Sequence, residues 1–235
     1  MRHHRIAHRG SGAWNQRTYL TVLEIFSRLQ TPLMYASSQG RETIVELLLA
    51  YGADADAQDD DNDTALHMAT FANHPEVIEI LLASGANMNI QNKKKITPLH
   101  IAVNKLYLDC IKILLRPQLH SMHALDINIQ DLGGDTAVHD SVSAESERVI
   151  DLLIDVPGLD LNLRNSSGFN VLHMAARQGK AYAVEKFLAR TTQLVDVKKW
   201  DGFAALHLAA LNGHLNVVEL LLEKGRCDPN IRNEE

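Results

Sequence analysis

Along most of the chain, apolar positions recur in two registers of helical spacing, separated by short polar stretches. The first register pairs a leucine with an alanine three residues on: Leu33 with Ala36, Leu66 with Ala69, Leu99 with Ala102, Leu172 with Ala175 and Leu206 with Ala209. At about 100° per residue each pair shares one helix face, and alanine lets a second helix come close. Val138 and Ser141 hold the same places in the fourth copy. The second register is an adjoining pair: Leu48-Leu49, Leu81-Leu82, Leu114-Leu115, Leu153-Ile154, Phe187-Leu188 and Leu221-Leu222. The pattern predicts six pairs of short helices joined by polar loops.

The residues that open each first helix repeat as well. They are Thr31-Pro-Leu-Met, Thr64-Ala-Leu-His, Thr97-Pro-Leu-His, Thr136-Ala-Val-His, Asn170-Val-Leu-His and Ala204-Ala-Leu-His, with starts 33, 33, 39, 34 and 34 residues apart. Threonine caps a helix N-terminus, and proline suits the first turn. Nine residues after each start stand Gly40, Asn73, Leu106, Glu145, Gly179 and Gly213. Glycine or asparagine there ends a helix in the left-handed conformation, so the turns at Leu106 and Glu145 are expected to differ. Two residues before each later start come Asn62, Lys95, Gly134, Gly168 and Gly202, the tip of a hairpin that asks for positive φ; Lys95 is expected to be strained.

A period near 33 with a Thr-Pro-Leu-His core resembles the ankyrin repeat. The resemblance implies an all-α solenoid of stacked helix-turn-helix pairs with β-hairpin tips. It would run over residues 31–235 as repeats 31–63, 64–96, 97–135, 136–169, 170–203 and 204–235. The 39-residue spacing places an insertion after Leu115. Residues 1–30 match nothing in the repeat. Thr18 to Gln30 reads as an amphipathic lead-in helix, and residues 1–12, rich in Arg and His, read as a tag remnant, an artefact or a lead-in. The array ends where a further hairpin is expected, so it reads as cut rather than capped.

Composition narrows the function. Aromatics make up 5% of the chain; repeat solenoids fill their cores with leucine and alanine instead. The net charge is −6, and residues 1–30 carry five arginines against Glu24 alone, which leaves an acidic body. Nucleic-acid binding needs a basic face and is not expected. Two cysteines, Cys110 and Cys227, form no CxxC pair. No apolar run is long enough to span a bilayer and no signal peptide is evident, so a reducing, cytoplasmic setting is expected.

Five histidines, His67, His100, His139, His173 and His207, share one repeat position. Stacked helices lie about 8–10 Å apart, whereas zinc ligands bind at about 2 Å, so these histidines cannot share a metal. Each is expected to bond to its N-cap residue or an adjacent loop. The run Asp54, Asp56, Asp59, Asp60, Asp61, Asp63 fails as a calcium loop: counted from Asp59, the sixth residue is Thr64 and the twelfth Thr70. No phosphate loop, dinucleotide fingerprint or nucleophile elbow is present. No catalytic residue, cofactor or metal is expected in the chain.

Beyond the common core, the stretches 92–105, 134–143, 168–176 and 201–212 resemble the ankyrin region of the mind bomb family, large RING-type E3 ubiquitin ligases that act on Notch ligands. The resemblance implies the middle scaffold of such a ligase, with substrate capture, ubiquitin transfer and the ubiquitin-conjugating enzyme all handled outside this chain. The rival reading is a stand-alone regulatory protein that masks a partner such as a transcription factor.

In either case the partner is another protein, met by the concave face and the tips. Seven and eight residues after each start, the side chains point away from the buried face: Phe71, Asn104 with Lys105, Arg177 with Gln178, and Leu211 with Asn212 among them. The tips add Ile96, Phe169, Trp200 and Phe203. Trp200 stands where other repeats have Asp60, Lys93, Leu132 and Ser166, so the fold does not ask for it. Trp200, Phe203 and Leu211 are the expected contact patch, and Phe169, Phe71 and Ile96 are further candidates; the alternative for Phe169 and Phe203 is packing against their own hairpins. The oppositely charged tips at Asp60 and Lys94 either attract each other or form a charged partner site.

Overall fold

A computed structural model describes residues 29–116, 123–144 and 146–233. The expected lead-in helix up to residue 28, the middle of the insertion and the turn residue Glu145 lie outside the described residues. Within them the chain forms twelve helices: α1 (Pro32–Ser38), α2 (Glu42–Ala50), α3 (Ala65–Phe71), α4 (Pro75–Ala83), α5 (Pro98–Asn104), α6 (Leu108–Leu114), α7 (Ala137–Ser143), α8 (Glu147–Ile154), α9 (Val171–Gln178), α10 (Ala181–Arg190), α11 (Ala205–Leu211) and α12 (Leu215–Glu223).

Helices of seven to ten residues are not stable alone, so caps and packing must hold them. Thr31 Oγ1 accepts the Met34 N–H at 3.3 Å, Thr64 Oγ1 accepts that of His67 at 3.4 Å, and Asn170 Oδ1 accepts that of His173 at 2.9 Å. Each odd-numbered helix packs on its own even-numbered partner and on the odd-numbered helices of the repeats on either side; the even-numbered helices stack in the same way. The result is a one-dimensional stack in which each repeat touches its neighbours. The core is a strip through all six pairs. Leu33, Leu66, Leu99, Val138 and Leu172 line one side, and Leu81, Leu114, Leu153, Phe187 and Leu221 the other, all buried.

The turn at Leu106 does not differ from the others. Its φ is +57°, matching Gly40 at +64°, Asn73 at +59°, Gly179 at +71° and Gly213 at +72°. The register of the next helix imposes this conformation: the Tyr107 N–H reaches the Ala102 carbonyl at 2.9 Å, the same bond that His74 makes to Ala69 and His214 to Ala209. Packing therefore outweighs the cost of a left-handed leucine, about 1–2 kcal/mol. Lys95 is left-handed as expected, at φ +56°.

The tips are tighter than true β-hairpins. Each is closed by two backbone bonds: an outer one, Asp59 N–H to the Asp63 carbonyl (3.0 Å), then Asn92 to Ile96, Asp131 to Asp135, Asn165 to Phe169 and Lys199 to Phe203, and an inner one, Asn62 N–H to the Asp59 carbonyl (2.9 Å), then Lys95 to Asn92, Gly134 to Asp131, Gly168 to Asn165 and Gly202 to Lys199. Among the described residues a single isolated antiparallel bridge forms, Lys198 with Ala204. Four-residue spans are too short for a ladder. Successive tips are strung together by Lys93 N–H to Asp61 (2.9 Å), Leu132 N–H to Lys94 (3.0 Å) and Ser166 N–H to Gly133 (2.8 Å).

Candidate protein-docking surface

The repeated histidines join repeats to one another. In repeats two to five, Nδ1 accepts the backbone N–H of the cap residue: Thr64 to His67 at 3.2 Å, Thr97 to His100 at 3.3 Å, Thr136 to His139 at 3.2 Å and Asn170 to His173 at 3.2 Å. That leaves the hydrogen on Nε2, which donates across the junction to the carbonyls of Ile96 (3.1 Å), Asp135 (3.2 Å), Phe169 (3.2 Å) and Val197 (2.8 Å). Burial lowers the pKa of His67, His100 and His139, and brings His173 down to about 4. These imidazoles are neutral structural links. Among the described residues no group of three His, Cys, Asp or Glu side chains could hold a metal ion.

The acidic run also has a structural task. Asp59 is buried, and its Oδ1 accepts the N–H groups of Asp61 and Asp63, each at 2.9 Å. Asn92, Asp131 and Asn165 order their own tips in the same manner. All four stand five residues before a repeat start. At the sixth start that place is Lys199, whose side chain has no acceptor to offer. Lys199 instead pairs with Asp201 and lies over two rings, 5.1 Å from the Phe169 centroid and 5.9 Å from that of Phe203. This departure from the repeat was visible in the sequence as a broken Asp/Asn series, a signal the hydrophobic pattern does not carry.

Most residues expected at the docking surface are accessible. Trp200 is 66% exposed, Leu211 73% and Phe71 61%. The Trp200 ring lies on the preceding tip: a Cβ on Gly168 would meet it at 2.9 Å, so one face is covered and the rest is open. Phe71 carries the Lys105 ammonium at 5.1 Å. Phe203 and Ile96 are half-buried, Phe203 edge-on to His207 with centroids 5.5 Å apart. Phe169 offers least to a partner: it is 9% exposed, edge-on to His173 at 6.4 Å. Asp60 and Lys94 are both exposed on neighbouring tips, and no ion pair joins them among the described residues.

Two electrostatic features stand out on this surface. In repeat four, burial raises the half-buried Asp140 carboxyl to about 7, helped by the charges of Asp131 and Asp135, while the Asn104 amide at 3.0 Å works the other way. Where the last tip of repeat four meets repeats five and six, a pocket of about 380 Å³ is lined by Asn165, Ser167, Phe169, Met174, Arg177, Gln178 and Asn212. The Arg177 guanidinium lies 5.3 Å from the Phe169 centroid. Neither thiol belongs to the surface. Cys110 and Cys227 are free and buried, and burial pushes Cys110 up to about 11.

Paired helices, capped starts and strung tips define a linear helical repeat protein. The profile described as "Ankyrin repeats (3 copies)" matches residues 15–92, 84–165 and 138–233. The chain belongs to the ankyrin-repeat family. No curated protein sequence matches it. Among solved structures it is similar to the ankyrin repeat domain of Bcl-3, titled a unique member of the IkappaB protein family, with a TM-score of 0.79 and 26% identity over 87% of this chain and 90% of that one. It is also similar to an ankyrin repeat domain from Acinetobacter baumannii AYE, with a TM-score of 0.73 and 25% identity over 83% and 97% of the two chains. A third likeness, to the ankyrin repeat protein EF0377 (TM-score 0.72, 20% identity, 81% and 96% covered), shows the fold alone. Ankyrin repeats bind other proteins, and the chain is a protein-interaction scaffold. No described helix is long and apolar enough to cross a membrane.

Proposed function

We propose that this scaffold docks a segment of another protein along its concave face and tips, anchored at Trp200, Phe203 and Leu211. The supporting observation is that Trp200 and Leu211 are large, apolar and mostly exposed at positions whose identity the repeat leaves open. Exposed aromatic and aliphatic side chains grouped at one end of a rigid surface are the usual material of binding hot spots.

The finer reading is that residues 31–235 form the middle scaffold of a mind bomb-like E3 ligase in the cytoplasm, with ubiquitin transfer performed elsewhere in the protein. Its support is the likeness of the variable stretches 92–105, 134–143, 168–176 and 201–212. A second reading is a stand-alone regulator that masks its partner, favoured by the similarity to the Bcl-3 domain. Incubating the full-length gene product with ubiquitin, activating enzyme and conjugating enzyme separates the two: chain formation supports the ligase and its absence contradicts it.

Docking itself is tested by Leu211→Asp. Partners recovered with the intact chain are purified and titrated against both forms. Affinity should fall tenfold or more while stability stays within about 0.5 kcal/mol, as for a surface site. Unchanged affinity contradicts the proposed face.

A further inference from the structure

We infer that the pocket formed by the last tip of repeat four with repeats five and six receives a carboxylate side chain, an Asp or Glu of the docked segment, gripped by Arg177, with Lys199, outside the lining but over the same Phe169 ring, adding positive charge. This names the partner chemistry for the face proposed above and rests on that proposal.

Arg177 sits in the last turn of α9, where its backbone carbonyl accepts the His214 Nε2–H at 3.0 Å. Its counterparts in the other repeats are Ser38, Phe71, Asn104, Ser143 and Leu211, so the fold does not require a cation there. The guanidinium is exposed and lies over the Phe169 ring, 5.3 Å from its centroid, and no carboxylate among the described residues pairs with it. An exposed guanidinium without a carboxylate partner can offer its N–H groups in a forked bond to one.

Lys199 adds an independent observation. It replaces the Asp or Asn that orders every other described tip, so this tip gains a cation and its side-chain acceptor moves to Asp201, whose Oδ1 takes the Phe203 N–H at 3.4 Å. Its ammonium and the Arg177 guanidinium both lie within 5.3 Å of the Phe169 centroid. Two like charges on one ring repel each other; Asp201 is engaged by Lys199, and the Asp135 carboxylate behind the pocket wall is held by the Asn165 amide at 2.8 Å. The site is therefore short of one negative charge, within a chain whose net charge is −6. Further along the face, at Asp131 and Asp140, the excess is of the opposite sign. An acidic side chain is repelled there and attracted here, which fixes the register of the docked segment. Ser167 and Gln178 line the same pocket and can donate to the carboxylate's remaining lone pairs.

The test uses a library of random twelve-residue peptides displayed on phage and selected on the intact chain. Selected peptides should carry Asp or Glu beside an apolar residue. Replacing that acid by its amide should weaken a synthetic peptide tenfold or more. Arg177→Gln should cause a similar loss, and the two changes together little more than either alone. Arg177→Lys should restore part of the affinity, and selection on Arg177→Glu should turn toward Lys and Arg. Arg177 is exposed, so the melting curves of these variants should overlay that of the parent. Peptides without acidic preference overturn the inference, as does an acid-to-amide effect that is undiminished in Arg177→Gln. If such peptides still lose binding on Leu211→Asp, the docking face stands and the carboxylate pocket alone fails. If Leu211→Asp is also without effect, both fail.

Discussion

At the scale of the residue, the repeat separates what the fold demands from what it permits. Cap threonines, paired leucines and small residues recur because a helix start, a core strip and a close approach each have one good solution. Lys95 shows the demand overriding the side chain. It stands where three other tips have glycine and takes φ +56°, closing its turn with a 2.7 Å bond from its N–H to the Asn92 carbonyl. Lys95→Gly should stabilise the protein by up to about 1 kcal/mol, the relieved left-handed strain less the extra freedom given to the unfolded chain. Urea unfolding checks this, and a clear loss of stability contradicts it. Lys95 was legible as strained because its neighbours state the requirement. Lys199 was not, because the rule it breaks concerns a side-chain acceptor rather than a backbone angle or an apolar position.

At the scale of the element, helix starts were plain in the sequence and turns less so. The caps fix where α1, α3, α5, α7 and α9 begin. The turn at Leu106 could not be read from its own residue, since the bond from Tyr107 to Ala102 and the stacking of α6 decide its conformation. The histidine links lie between these limits. Their repetition pointed to a structural task, but the receiving carbonyls, 24 to 35 residues away, are supplied by the stack. These links make stability depend on pH. The folded pKa values of His67, His100, His139 and His173 lie below the ordinary 6.5, because burial disfavours the imidazolium. The unfolded chain thus takes up protons first as pH falls. The contribution is complete above pH 6.5 and is lost as pH drops toward the folded values, by as much as about 1.4 kcal/mol per pH unit for each histidine. Asp140, raised to about 7, acts in the opposite sense, one carboxyl against four imidazoles. The midpoint of urea unfolding should therefore be lower at pH 5 than at pH 7.5. Equal midpoints contradict the neutral histidine links.

At the scale of the whole molecule, the stack explains both the legibility of the fold and the limited legibility of the site. A repeat protein states each structural rule several times, so a core residue can be recognised by its return. A docking residue appears once, and the sequence shows it as an exception without saying what meets it. Trp200 is such an exception: 66% exposed, one ring face resting on Gly168, close in sequence to the half-buried Phe203 and to Lys199. We propose that Trp200 serves recognition and that the stack stands without it. Trp200→Ala tests this most directly when thermal unfolding and titration against a purified partner are measured on the same preparations. Stability should change by no more than about 0.5–1 kcal/mol, and binding should weaken by about 2 kcal/mol or more, roughly thirtyfold in affinity. Unfolding that collapses, or binding that does not change, contradicts it.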